Sequence, residues 1–314
     1  MIVVKLIGGL ASQLHKYSVG RALAEQLGTE LLLDISAYVG PRKRERIFKF
    51  ELENLNIKSR IATAHEIAQA KGRPNELAFK LASSIARLTG TQRSEFLEKN
   101  ARKLFGHTLY KADITKSRTE NFFEKINPAK HAYIYGEWGM GSALFEKHRE
   151  KLLEEFVPKT LSPQACHIAE EITESPTAVS LHVRRGDYVS TPETAQFHGA
   201  CPNAYYVQAI SHMLESMPES RFFVFSDDLQ WCREALALYL PENTRYVENL
   251  KNYEDFHLLS KCHHNIISNS GFSALSAWAN QNSEKIVTSP RRWFNDEKVN
   301  TMQISQLPKN WVYL

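Results

Sequence analysis

Two arginines, a histidine and an aspartate lie within one short stretch of this chain, TAVSLHVRRGDYVS at residues 177–190. Arg184 and Arg185 carry planar, permanently charged forks that suit phosphate oxygens. Gly186 permits the close backbone approach such a loop needs. His182 and Asp187 flank it as donor or acceptor. An isolated Arg-Gly-Asp is a surface turn with a solvated ion pair. This one follows directly on the apolar run Ala178-Val179-Ser180-Leu181, which has the pattern of a buried strand. In open α/β sheets ligands bind beyond the carboxyl ends of the strands, so the stretch reads as a site for an anionic ligand.

Two further apolar runs end in the same way. Residues 221–225 (RFFVF) run into Ser226-Asp227-Asp228, and residues 264–267 run into Ser268-Asn269-Ser270. If the sheet is parallel, all three ends lie on one edge and can line one crevice. Ser270 and the start of its helix would add donors for a diphosphate. A carboxylate such as Asp227 can accept two N–H bonds from a guanine edge. Each cluster alone reads as helix capping, since Ser, Asp and Asn are good N-caps. Their convergence points to a guanosine diphosphate conjugate. Near the start, residues 2–7 run into Gly8-Gly9-Leu10-Ala11-Ser12-Gln13 and then a helix. That arrangement serves either an anion or polar sugar at the helix N-terminus, or a tight turn with no ligand. It is not the GxGxxG dinucleotide fingerprint, which argues against a nucleotide-dependent oxidoreductase.

The elements that must position these residues alternate along the chain. Strands are expected at residues 2–7, 30–33, 132–135, 177–183, 221–225, 244–247, 264–267 and 285–287. Helices are expected after Gly9, across much of 64–105, at 163–173, from Asn203, through Leu240 and at 253–261. The alternation implies an α/β fold with parallel sheets and helices on both faces. Two prolines in residues 157–163 place a boundary between a domain at 1–157 and another at 158–314.

The 314 residues are 43% hydrophobic and 24% charged, with a formal charge of +4, which lacks the basic bias of a nucleic-acid binder. Cys166, Cys201, Cys232 and Cys262 are widely spaced, so neither a structural zinc site nor a disulfide framework is expected. No DxD and no crowded ligand set is present, so no metal is expected. No run reaches the about 18 apolar residues of a membrane helix. The chain is expected to be cytoplasmic, and the basic run at residues 42–46 reads as a solvated loop or as a peripheral contact with anionic lipid of the inner membrane.

Taken together these residues resemble the bacterial branch of the inverting alpha-1,2-fucosyltransferases, glycosyltransferase family eleven. The resemblance runs through Gly8-Gly9-Leu10 with Gln13, Tyr135-Gly136 and Trp138, and His182-Val183-Arg184-Arg185-Gly186-Asp187-Tyr188. It continues through Ser226-Asp227-Asp228, Asp255-Phe256, Asn269-Ser270, Phe272-Ser273, Trp278 and Trp293-Phe294. It implies a GT-B architecture, two Rossmann-like domains facing across a cleft, with the acceptor on the first and the donor GDP-beta-L-fucose on the second. No cofactor is implied beyond that donor, and the acceptor is a galactose-containing glycan. Arg184 would meet the donor phosphates with Arg185, Asn269 and Ser270 nearby. His182 and Asp227 would approach the guanine, and Gly8, Gly9 and Gln13 would face the diphosphate and acceptor. Asp187 and Glu137 are the two candidates for general base. The alternatives are a fucosyltransferase of another linkage and, from a different class, a non-catalytic GDP-sugar-binding protein.

Overall fold

The computed structural model describes residues 1–39, 48–71, 108–112, 131–136 and 141–314, with backbone only at 108–112. Its described residues fall into two units. One holds those of Met1–Phe50, Lys58–Gly139 and Ala143–Arg149, and the other those of Glu51–Ile57, Met140–Ser142 and Glu150–Leu314. The long run of the second unit thus starts at Glu150, whereas the prolines place the change at 157/158.

The first unit contains β1 (Ile2–Lys5), β2 (Leu31–Asp34), β3 (Arg60–Ile61), β4 (Thr108–Ala112) and β5 (Ala132–Gly136), in the order β3-β2-β1-β5-β4. Every described pairing among them is parallel. The three leucines of β2 are fully withdrawn, as in a strand covered on both faces. Helix α1 (Leu10–Gln26) follows the glycine turn, and α2 (Ala64–Ala70) opens with a capping box in which Thr63 and Glu66 satisfy each other's backbone donors.

The second unit contains α3 (Arg149–Glu155), α4 (Pro163–Glu174), β6 (Ala178–Val183), α5 (Gly186–Ser190), α6 (Pro192–Phe197) and α7 (Asn203–Ser216). It continues with β7 (Arg221–Ser226), α8 (Leu229–Leu236), β8 (Arg245–Tyr246), α9 (Asn252–Lys261) and β9 (His264–Ile266). It closes with α10 (Gly271–Ala279), β10 (Val287–Ser289), α11 (Glu297–Ser305) and β11 (Val312–Tyr313). The sheet order is β11-β10-β9-β6-β7-β8, and every pairing is parallel. Counted from β6 this is the doubly wound order 3-2-1-4-5-6, whose direction reverses between β6 and β9.

All six residues of β6 are buried. Its odd positions Val179, Leu181 and Val183 pack with Tyr206, Ile210 and Met213 of α7. Ala178 joins the opposite layer with Ile168 and Ile172 of α4 and Leu258 and Leu259 of α9. The two-residue period of a strand therefore sends His182 to the α9 side. Each fully buried aliphatic side chain in these layers contributes about 1.5–3 kcal/mol.

Several boundaries differ from the sequence expectation. The strand expected at 285–287 forms at Val287–Ser289, because Lys285 and Ile286 are engaged beforehand. Lys285 Nζ donates to Asn280 O at 2.5 Å and Ile286 N to His264 Nδ1 at 2.9 Å. The helix expected through Leu240 ends at Leu236. Strands β3, β4 and β11 and helices α5, α6 and α11 were not expected. Both β3 residues are exposed and offer no alternation to read. Most of residues 64–105, the basic run at 42–46, Glu137 and Trp138 lie outside the described residues.

Candidate nucleotide-sugar site

The carboxyl end of β6 meets that of β7 in register, with His182 opposite Phe225 and Val183 opposite Ser226. This brings the first arginine cluster onto the second acidic cluster. Arg184 Nη2 donates to Asp187 Oδ1 at 2.5 Å, and its Nη1 lies 2.8 Å from Asp227 Oδ2. Asp227 Oδ1 also accepts the backbone N–H of Arg185 at 2.8 Å. Arg185 Nε reaches Asp228 Oδ2 at 3.0 Å, and its guanidinium sits 4.3 Å above the Trp231 ring. Asp228 in turn caps α8 by accepting from Trp231 N at 3.1 Å. Two guanidinium groups thus meet three carboxylates in one partly exposed cluster.

At Gly186 a larger residue would be opposed by contact with the tip of Asp227 rather than by torsion. A Cβ on it would stand 2.5 Å from Asp227 Oδ2. At Gly8 the reason is torsional, with φ at +79°.

His182 is buried, with Nδ1 3.0 Å from Ser268 Oγ and its ring 5.5 Å from that of Phe272. Burial pulls its imidazole down to about 4, against the opposing pull of Asp227. The ring is therefore neutral near pH 7. The contact with Ser268 ties β6 to β9 at the point where the strand order reverses, the position favoured for ligands in doubly wound sheets.

The remaining expected residues divide into two groups. Ser270 caps α10, accepting from Phe272 N at 3.3 Å, beside the cluster. Asn269 is brought to the same edge, but its side chain works inside the fold. Its Nδ2 donates to Gly199 O at 2.8 Å and Trp293 O at 3.3 Å, and its Oδ1 accepts from Cys201 Sγ at 3.2 Å. These bonds, with Tyr188 stacked 4.6 Å from His198, fasten the segment that follows the arginines. In the first unit, Gln13 is fully buried, its Nε2 donating to Gly8 O at 3.1 Å and Lys49 O at 2.7 Å. Gly9 precedes α1, whose start has no side-chain cap.

One residue of this edge was not singled out as a site from sequence. A cavity of about 390 Å³ is lined by Ser226 and Leu229, by Val247, Glu248, Asn249 and Leu250 after β8, and by Asp255 of α9. Glu254 is engaged, accepting from Ser162 N at 2.6 Å and Lys251 N at 3.0 Å. The Asp255 carboxylate has no protein partner among the described residues. Burial, with help from Glu254, pushes it up to about 7. A half-buried, unpaired carboxylate in a cavity, with a raised pKa, is a functional-site signature. Along the edge, then, paired arginines stand at the switch point and an acceptor-lined cavity stands toward β7 and β8. Among the described residues no group of three or more His, Cys, Asp or Glu side chains is arranged to hold a metal ion. No described helix is long and apolar enough to cross a membrane.

A doubly wound sheet with a charged switch point and an adjoining cavity defines an α/β protein with a candidate ligand site at the carboxyl edge of its second sheet. Residues 55–314 match the model of Glycosyl transferase family 11. The chain belongs to that family and is a glycosyltransferase. It is 32% identical over 303 residues to the O-antigen biosynthesis glycosyltransferase WbnK of Escherichia coli, covering 92% of this chain and 93% of that protein. It is 27% identical to an alpha-1,2-colitosyltransferase of Escherichia coli, over 99% of this chain and 98% of that one. A shorter likeness, 28% over 104 residues and 32% of this chain, is to 28% of the galactoside 2-alpha-L-fucosyltransferase Sec1 of Mus musculus.

Proposed function

We propose that this glycosyltransferase moves L-fucose from GDP-beta-L-fucose to the 2-hydroxyl of a terminal galactoside, giving an alpha-1,2 linkage. The observation that carries the reading is the order of groups along the edge of the second sheet. Arg184 and Arg185 stand where a diphosphate would lie, and Asp255 faces a cavity with room for a base. An ionised carboxylate accepts the N1–H and N2–H of guanine together. Asp227 is less free for that task than the sequence suggests, because both its oxygens are engaged. The likeness to relatives named for alpha-1,2 transfer of fucose and of colitose supports the linkage. The colitosyl relative also motivates a second reading, in which the sugar transferred is colitose.

The reaction is one displacement at the anomeric carbon. The bond from acceptor oxygen to that carbon forms, the bond to the phosphate oxygen breaks, GDP leaves, and the acceptor proton goes to a base. The chain's main contribution is to stabilise negative charge growing on the leaving diphosphate. Arg184 does this by exchanging Asp187 for a phosphate oxygen. Asp187, bonded to Arg184 at 2.5 Å, is released by that exchange, and Asp187 and Glu137 both stand as candidates for the base. Because two guanidinium groups meet the diphosphate, no metal is needed, and EDTA should leave the rate unchanged.

The test is GDP release from GDP-fucose with lactose or N-acetyllactosamine. Arg184→Lys keeps the charge and loses the fork, and the expected loss is on the order of a hundredfold or more. Near-normal turnover by that variant would remove Arg184 from the mechanism.

A further inference from the structure

The hydroxyl groups behind His182 determine which of its nitrogens carries the proton. A neutral imidazole has one N–H, and its other nitrogen is an acceptor. Nδ1 faces Ser268 Oγ at 3.0 Å. Nε2 has no protein partner among the described residues and is not among the sealed, unsatisfied atoms. Ser268 is fully buried, and among the described residues its only other side-chain hydrogen-bond partner is Ser273 Oγ, at 3.5 Å. Ser273 Oγ in turn donates to Ser270 O at 3.3 Å.

Two proton arrangements satisfy this chain. With the ring proton on Nδ1, Ser268 would accept it and send its own proton across the 3.5 Å gap to Ser273. With the ring proton on Nε2, Ser268 donates to Nδ1 across 3.0 Å and Ser273 donates to Ser270 O. Ser273 can donate to Ser270 O in either case, but only the second arrangement lets Ser268 donate across its shorter contact, and hydrogen bonds weaken toward 3.5 Å. It also presents an N–H near Arg184 and Asp227, where an incoming ligand brings oxygen atoms.

We propose that Ser268 is a positioning residue: its hydroxyl donates to His182 Nδ1 and so keeps the ring proton on Nε2, which donates to an oxygen of the bound nucleotide. The nucleotide half of this statement rests on the donor reading above. Because burial holds the ring neutral, His182 serves as an uncharged donor and not as an acid or base.

The test is ¹⁵N–¹H correlation of the histidine rings in the ligand-free protein at neutral pH, with the His182 signals assigned by their loss in His182→Asn. The expected spectrum has a protonated Nε2 and a pyridine-type Nδ1. Ser268→Ala should shift the ring toward a mixture of tautomers and weaken GDP binding in proportion to the rings that lose the Nε2 proton, about twofold for an even mixture. Ser273→Ala should leave both unchanged. A protonated Nδ1 in the wild type, or a Ser268→Ala spectrum identical to wild type, overturns the proposal and needs no ligand. Absent GDP binding by the wild type overturns the donor reading, and the ligand-free spectrum still decides the tautomer.

Discussion

Asp34 ends β2 in the first unit, and Asp255 lies in α9 of the second. Asp34 is buried and Asp255 half-buried, and their surroundings differ. Asp34 is fully buried and paired, accepting from Tyr133 Oη at 2.6 Å and Ser36 N at 2.9 Å, with Lys71 Nζ at 3.9 Å. Burial alone would raise its pKa, but these donors hold it below the ordinary aspartate value. Asp255 has burial and a neighbouring acid without donors, and it titrates at about 7. The same side chain is thus a cross-strand tie in one place and an unfilled acceptor in the other. A carboxylate that the fold satisfies holds strands together, and one left unsatisfied at a cavity waits for a ligand.

The largest expected effect that tests this contrast comes from Asp255→Asn. Losing the charged acceptor should weaken GDP binding ten- to a hundredfold by calorimetry, in line with about 1.5–3 kcal/mol for a hydrogen bond to a charged group. The wild type should bind GDP more weakly as pH falls below about 7, because guanine donors need the ionised carboxylate. The asparagine variant should lose that dependence. Equal affinities and equal pH profiles would take Asp255 out of the site.

Stability should show the opposite signs. Asp255 has a folded pKa above its unfolded value, so it favours the fold when protonated. Its contribution declines as pH rises from about 4 to about 7, by no more than about 1.4 kcal/mol per pH unit. Asp34 has a lowered pKa, so its contribution is present above the unfolded value and lost as pH falls through the folded one. Asp34→Asn should therefore lower Tm by several degrees at pH 7, with much less loss at strongly acidic pH, and leave GDP affinity unchanged. A GDP defect in that variant would break the division of roles. Tyr133→Phe should cost less, about 1 kcal/mol, because Ser36 still donates to Asp34.

Much of the second unit was legible in sequence, because β6 and β7 are continuous apolar runs that stop at polar clusters. The meeting of Arg184 with Asp227 followed from two such strands being parallel neighbours. Side-chain direction was less legible. Gln13 lies in the first turn of α1 and Asn269 in the loop after β9, polar positions that look exposed by composition, yet both amides turn inward to satisfy backbone carbonyls. Asp255 was hidden beside Glu254, since two acids at a helix start both read as caps. Only the packing of α9 on α4 shows that Glu254 takes the capping bonds, with Ser162 and Lys251, and that Asp255 does not.

The most direct test of the function is NMR of the product formed from GDP-fucose and N-acetyllactosamine, with GDP-colitose run in parallel. The expected product carries an alpha-linked deoxyhexose on O2 of the terminal galactose, formed faster from GDP-fucose. A sugar attached at another hydroxyl, or no transfer from either donor despite GDP binding, would contradict the assignment.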